Sequence, residues 1–148
     1  MNKLGLLAPV KEPFLERAVR DVYPQYGKVS FGSNMTKKEM LGIRGQYLDY
    51  VREQSAVYVY LFYKEYVRYR GVLIDEFLFY AEPTRHPHPW GSWNLIFQNF
   101  YTVKEIVPCE DLPVTDFTNL GTKNRVSVSP HKPVRIIDHI WEEPDQLK

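Results

Sequence analysis

Two tryptophans and two histidines lie in one short proline-rich loop, residues 85–93, which reads RHPHPWGSW. A pocket that stacks a flat ligand needs large aromatic faces on loops at the edge of a sheet, and Trp90 and Trp93 fit that need. The alternative is that both rings cover the core. His86 and His88 have no third or fourth metal ligand at a recognisable spacing. The loop therefore favours binding of a flat ligand and predicts no metal site.

Residues suited to catalysis are scarce in this chain. Cys109 is the only cysteine and precedes Glu110 and Asp111, whose negative charges would raise the pKa of its thiol. No nucleophile elbow, phosphate-cradling glycine loop or paired-carboxylate motif is present. Asp75 and Glu76 would point to opposite faces of one strand, so they make a poor acid and base pair. We therefore predict a non-catalytic protein with no cofactor.

The charge distribution bears on binding of a polyanion. The net charge is only +1, but the last eleven residues hold four acids and one base, so residues 1–137 carry +4. Any polyanion must then be held by a local basic face rather than by the overall field. The candidate phosphate-binding residues are Lys37, Lys38, Arg44, Arg125, His131 and Lys132.

Length and composition indicate one globular domain that is neither disordered nor fibrous. The chain has 148 residues, of which 44% are hydrophobic, 25% charged and 15% aromatic. Its apolar runs are shorter than the roughly 20 residues of a membrane span, and no signal peptide is visible. We expect a cytoplasmic protein with no membrane partner, a domain over residues 1–140, and an acidic tail or the start of a linker over residues 141–148.

Hydrophobic periodicity predicts two helices near the N-terminus, followed by strands. Apolar residues at helical spacing predict a helix over residues 13–23, and a capping box from Thr36 to Glu39 opens a second helix that runs to Arg52. Strands are expected at residues 3–10, 56–63, 69–80, 95–107, 125–129 and 134–140, and residues 28–33 are expected to form a short strand or an extended loop. Prolines exclude regular structure from residues 82–93. Such elements predict an α+β fold with a strongly curved sheet or barrel.

Three motifs follow one another in a recognisable order. They are VYVYLFY at residues 57–63, RGVL at 70–73 and FYTVKEIVPCEDLP at 100–113, with the tryptophan loop between the last two. This order resembles the EVE/YTH branch of the PUA-like superfamily, and RVSVS at residues 125–129 looks like a later motif of that branch. The resemblance covers roughly residues 28–137. It implies a curved five- to six-stranded β-barrel flanked by helices.

The resemblance also implies where a ligand would bind. In this branch an aromatic cage holds one modified base, and the matching positions here are Phe31 with Trp90 or Trp93. Ser33 and Asn34 would contact the edge of the base. Two positions depart from the pattern. Glu105 stands where tryptophan is usual, and Pro130 stands where arginine is frequent, which leaves His131 or Lys132 to replace the usual phosphate contact.

Domains of this branch read a modified base after it is flipped out of a duplex or presented on a single strand. A flipped base costs a few kcal/mol, and aromatic stacking returns about 1–3 kcal/mol. We expect methylated DNA as partner, bound by the recognition module of an McrB-type restriction system whose GTPase domain and nuclease subunit lie elsewhere. N6-methyladenine and a modified cytosine both remain open. The alternatives are a free-standing reader of methylated RNA, an ASCH-like enzyme acting on a modified nucleoside, and a protein-interaction module.

Overall fold

The computed structural model describes residues 3–84, 89–91 and 97–138. Its strands form one seven-stranded sheet. The strands are β1 (Leu4–Pro9), β2 (Lys28–Ser33), β3 (Tyr58–Tyr63), β4 (Tyr66–Thr84), β5 (Phe97–Pro113), β6 (Thr118–Asn119) and β7 (Val134–Ile137). Their order across the sheet is β2-β5-β4-β3-β1-β7-β6. Among these seven strands of the described residues, β1 and β3 pair in parallel and the other neighbouring pairs are antiparallel.

The sheet is open, so the prediction of a closed barrel of five or six strands is wrong. Among the described residues, β2 and β6 stand at opposite ends of the order and do not pair. The long strands β4 and β5 pair through four register shifts. Bulges of this kind bend a strand and increase its twist, so the sheet curves without closing. The mixed α and β composition that the sequence indicates is confirmed.

Both predicted helices are present and both extend beyond their predicted ends. The first comprises α1 (Glu12–Arg17), a π-helical turn (Ala18–Val22) and α2 (Tyr23–Tyr26). It runs through Pro24 and stops at Gly27, whose φ of 69° suits a residue without a Cβ. The second, α3 (Lys37–Gln54), starts at Thr36 with the predicted capping box. Gly42 and Gly45 do not interrupt it.

The two faces of the sheet carry separate apolar clusters, since neighbouring residues on a strand point to opposite sides. Leu6 of β1 belongs to the larger cluster and Leu7 to the smaller. In the larger cluster Leu15 of α1 and Met40 of α3 pack on the sheet, so both helices cover this face. The smaller cluster comprises Leu7, Tyr60, Phe62, Val67, Val114, Phe117, Val126 and Ile136.

Predictions for several strands are wrong. β5 does not end at residue 107 but continues through Pro108 to Pro113. The segment 125–129 is not a strand, because only Val126 is buried and Arg125 forms a single bridge to Thr118. Regular structure also continues past Pro83, since β4 extends to Thr84 across a bulge where a missing N–H is tolerated. No helix in the described part of the chain is long and apolar enough to cross a membrane.

Candidate functional site

The end of β2 and the turn after it line a pocket of about 260 Å³, here named the Phe31 pocket. Phe31, Gly32 and Ser33 come from β2, and Asn34 begins the turn towards α3. The remaining walls include Lys11, Phe14, Phe97, His131 and Pro133. Four residues that the sequence predicts as site residues, Phe31, Ser33, Asn34 and His131, therefore meet at one pocket. They lie up to 100 positions apart in the chain.

Three aromatic rings surround this pocket, and each has a different role. Phe31 is 1% exposed, and its ring centroid lies 5.9 Å from that of Tyr101, so Phe31 forms a floor rather than a free wall. Phe97 lies against Gly32, where an added Cβ would come within 1.9 Å of the ring. Phe14 of α1 is half-buried on another side. A flat ligand can thus contact the partly exposed rings of Phe14 and Phe97, above the floor that Phe31 forms.

The polar groups of the pocket are suited to a neutral or anionic ligand. The Ser33 hydroxyl oxygen accepts a hydrogen bond of 3.1 Å from the Met35 backbone N–H, which leaves its own proton to donate. Asn34 is exposed, and its amide can donate and accept. Lys11 and His131 add donors at the rim, and none of the described lining residues is a carboxylate.

Trp90 occupies a different place from the one predicted for it. The Ser30 backbone N–H donates to the Trp90 carbonyl at 2.8 Å, which adds this short segment to the edge of β2. The indole N–H donates to Glu76 at 3.0 Å, and the Lys28 ammonium lies 4.3 Å from the ring centroid. Trp90 does not line the Phe31 pocket. Its indole N–H, the polar group of the side chain, is instead hydrogen-bonded to Glu76 on β4. Trp93, His86 and His88 lie outside the described residues.

The Glu76 carboxylate accepts the hydrogen bond of Trp90 and forms a salt bridge with Lys28. Burial by itself raises the pKa of Glu76, but the hydrogen bond and charge of Lys28, with hydrogen bonds from Thr102 and Trp90, lower it overall. A carboxyl whose pKa is lower in the folded state contributes stability above its unfolded pKa and loses it as the pH falls through the folded value. The cluster therefore stabilises the protein at neutral pH and weakens in acid.

Glu76→Gln is expected to lower the free energy of unfolding by about 1–2 kcal/mol at pH 7 and to flatten its dependence on pH in acid. Thermal unfolding between pH 7 and pH 3 measures both effects. The control is Asp75→Asn, because Asp75 is exposed and pairs with Arg44 at 2.9 Å, and such a pair contributes at most about 1 kcal/mol. Parallel pH profiles for wild type and Glu76→Gln would show that Glu76 has no such role.

A second hollow of about 380 Å³, here named the Lys38 groove, adjoins the Phe31 pocket. It runs between the start of α3 and the segment that leads into β7, where Lys38 and Arg135 line it. Pro133 lines both hollows, so they form neighbouring parts of one surface. Glu39 also lines the groove, but Lys132 donates to it at 3.1 Å and offsets its charge.

The other predicted phosphate-binding residues lie apart from the lining of the Phe31 pocket. Lys37 lies over the ring of Phe79, with the ammonium 5.8 Å from the ring centroid. Arg44 pairs with Asp75 across to β4. Arg125 is exposed in the loop beside β6. Of the six predicted residues, His131 lines the Phe31 pocket, Lys38 lines the adjoining Lys38 groove, and Lys132 pairs with Glu39 of that groove.

Lys11, Phe14 and Phe97 are among the lining residues of the pocket that the sequence did not predict as site residues. Lys11 and Phe14 belong to the connection between β1 and the first helix, where the periodicity indicates only an amphipathic helix. Phe97 falls in a run typical of a strand. The one feature of the sequence that could have indicated its place in the pocket is Gly32, since a glycine inside a strand often marks a close approach by another group.

The described residues give little sign of covalent or metal chemistry. Within residues 3–84, 89–91 and 97–138, no three histidine, cysteine, aspartate or glutamate side chains are placed to hold a metal ion. Burial raises the pKa of the half-buried Cys109 thiol, and the charge of Arg70 opposes this only in part. A raised pKa keeps the sulfur protonated at neutral pH, which disfavours a nucleophilic role.

Comparison with known proteins finds no matching protein family, no matching curated protein and no matching solved structure. The resemblance to EVE/YTH domains therefore rests on the sequence motifs alone. What the chain binds must be argued from the geometry of the Phe31 pocket and from the charges around it.

Proposed function

We propose that this protein binds nucleic acid by accepting one modified base into the Phe31 pocket, with DNA as the target. The observation that carries the proposal is the convergence of Phe31, Ser33, Asn34 and His131 on that one pocket. Its volume of about 260 Å³ falls just below the roughly 300–1,000 Å³ of pockets for drug-sized ligands, which suits a single base.

The chemistry of the lining supports a base as ligand. The partly exposed rings of Phe14 and Phe97 offer stacking, which contributes about 1–3 kcal/mol per base, and Phe31 forms the apolar floor beneath them. Ser33 and Asn34 supply donors and acceptors for its hydrogen-bonding edge. A methyl group buried beside these rings adds about 0.8 kcal/mol, or about fourfold in affinity. The cage in this proposal uses Phe97 and Phe14 in place of Trp90.

The fold assignment is part of the same proposal. We infer a PUA-like domain of the EVE/YTH branch, supported by the order of its sequence motifs. The bent sheet with helices on one face is consistent with that branch, and the open edge departs from its barrel. Such a domain would serve as the DNA-recognition module of a modification-dependent restriction system, with the GTPase and nuclease supplied elsewhere. The direct test compares binding of methylated and unmethylated oligonucleotides, as single strands and duplexes of DNA and RNA, at one stated salt concentration. Equal affinity for methylated and unmethylated strands of every kind would contradict the proposal.

The Lys38 groove and the rim of the pocket would hold phosphates on either side of the bound base. Lys38→Ala and Lys11→Ala are each expected to weaken binding to all sequences alike. Each is also expected to reduce the slope of log affinity against log salt by about 0.7 on a single strand. Anisotropy titrations at several salt concentrations measure this slope.

Arg52→Ala is the matched control for these two substitutions. Arg52 lies fourteen residues after Lys38 on α3, which places it about 21 Å further along the helix. It is exposed and carries the same charge, so its removal tests the effect of net charge alone. A slope that changes equally in all three variants would show that the effect is global and that the groove holds no phosphate.

A further inference from the structure

A third hollow lies on the other side of the turn that follows β2. It has a volume of about 380 Å³ and is lined by Lys37, Phe79, Tyr80, Ala81, Gln98 and Asn99, and we name it the Phe79 hollow. Two sheet registers place it beside the Phe31 pocket. Ser33 of β2 is opposite Asn99 of β5, and Asn99 is opposite Phe79 of β4. Residues opposite one another share a face, so Ser33 and Phe79 lie on one face about 10 Å apart.

The turn between β2 and α3 separates these two hollows, and two hydrogen bonds of the Met35 backbone fix it to the sheet. Met35 donates its backbone N–H to the Ser33 hydroxyl at 3.1 Å, and its carbonyl accepts from the Asn99 amide at 2.7 Å. Asn34 lines the Phe31 pocket on one side of the turn, and Lys37 lines the Phe79 hollow on the other. A strand that leaves the pocket across this turn therefore arrives at Phe79.

The contents of the Phe79 hollow are those of a stacking platform for a nucleobase. Phe79 is half-buried, and the Lys37 ammonium lies 5.8 Å from its ring centroid, near the outer limit of a cation–π contact. Lys37 forms no salt bridge with any described residue, so its charge is available to a phosphate. Proteins hold unpaired nucleotides without reading their sequence by combining an aromatic face with a nearby cation. A base that stacks on Phe79 displaces the Lys37 ammonium from above the ring, and the ammonium is then available to the phosphate of that nucleotide.

We propose that the Phe79 hollow is a second nucleotide subsite, in which the base next to the modified one stacks on Phe79 while Lys37 contacts its phosphate. This inference rests on the proposed function of the Phe31 pocket. It makes single-stranded or locally opened nucleic acid the preferred ligand, since a base inside an intact duplex cannot reach the ring. It also makes the contribution of the neighbouring base independent of its identity.

The test uses two single-stranded deoxyhexanucleotides, one complete and one with abasic sites on both sides of an internal target base. Each is prepared with N6-methyladenine or a methylated cytosine as the target base, and with the matching unmethylated base. Phe79→Leu keeps an apolar side chain but removes the aromatic face. We expect it to weaken binding of the complete strand by about 5- to 150-fold and to leave binding of the abasic-flanked strand unchanged. Wild type should show a loss of the same size when the flanking bases are removed.

Phe77→Leu is the matched control. Phe77 lies two residues earlier on β4, on the same face. Its ring packs against Tyr47 of α3, with 6.2 Å between the ring centroids, and does not line the hollow. It should bind both strands as wild type does. Equal affinity of wild type and Phe79→Leu for the complete strand, with the methyl group still discriminated, overturns the subsite alone. Failure of wild type to discriminate either methylated base from its unmethylated form, on either strand, overturns the proposed function and the subsite with it.

Discussion

Phe31→Ala is expected to lower the melting temperature by roughly 6–20 °C. The ring is 1% exposed and packs on Tyr101, so its removal costs about 3–5 kcal/mol, and each kcal/mol is worth about 2–4 °C in a domain of this size. The sequence led to a different expectation, because truncating a cage wall on an open loop leaves the folded state intact. Thermal unfolding followed by circular dichroism measures the change.

Tyr101→Phe is the control for this prediction. It keeps the ring that supports Phe31 and removes a hydroxyl that is buried with no hydrogen-bond partner among the described residues. Leaving such a group unsatisfied costs about 1–3 kcal/mol, so its removal is expected to preserve or raise the melting temperature. A melting temperature for Phe31→Ala within about 2 °C of wild type would show that Phe31 is not the packed floor of the pocket.

Local signals in the sequence predicted the elements that carry the candidate site. The spacing of Thr36 and Glu39 predicted the start of α3, and both reciprocal hydrogen bonds are present. The aromatic and β-branched run at residues 57–63 predicted β3, whose inner residues are buried. Each of these features depends on residues only a few positions apart, so the sequence contains the whole signal.

Features that depend on distant pairing were predicted poorly. Closure of the sheet depends on which edge strands meet, and no local pattern contains that information. The alternation of residues 125–129 is typical of a strand, but a strand also needs a partner, and only Arg125 finds one. The two-residue β6 is too short to leave a periodic signal, although it pairs with β7.

The candidate site shows the same division. Phe31, Ser33 and Asn34 belong to one short segment, so a single motif could nominate them together. Phe14 and Phe97 lie on separate elements and reach the pocket only through the fold. Trp90 was predicted from its residue type and loop, but it contacts Ser30 and Lys28 of β2 and Glu76 of β4, and a single sequence does not reveal these distant contacts.

Phe97→Ala is expected to weaken binding of a methylated oligonucleotide by about 5- to 150-fold, because it removes one stacking face of about 1–3 kcal/mol. The ring is half-buried, lies against Gly32 and has its centroid 6.2 Å from that of Phe100, so part of its surface is free for a ligand. Gly32→Ala should have a similar effect by another route. Its new Cβ would lie 1.9 Å from the ring, and the ring would have to move.

Tyr66→Ala separates loss of a pocket wall from loss of any exposed aromatic ring. Tyr66 is 41% exposed and starts β4, at the opposite end of that strand from Thr84, which pairs with Phe97. Its truncation should change neither affinity nor the ratio of methylated to unmethylated binding. Phe97→Ala should lower both, since the methyl group gains its roughly fourfold advantage only when it is buried against the ring. If Phe97→Ala stays folded and keeps the affinity and methyl preference of wild type, the base does not stack on Phe97, and the walls of the cage must lie elsewhere.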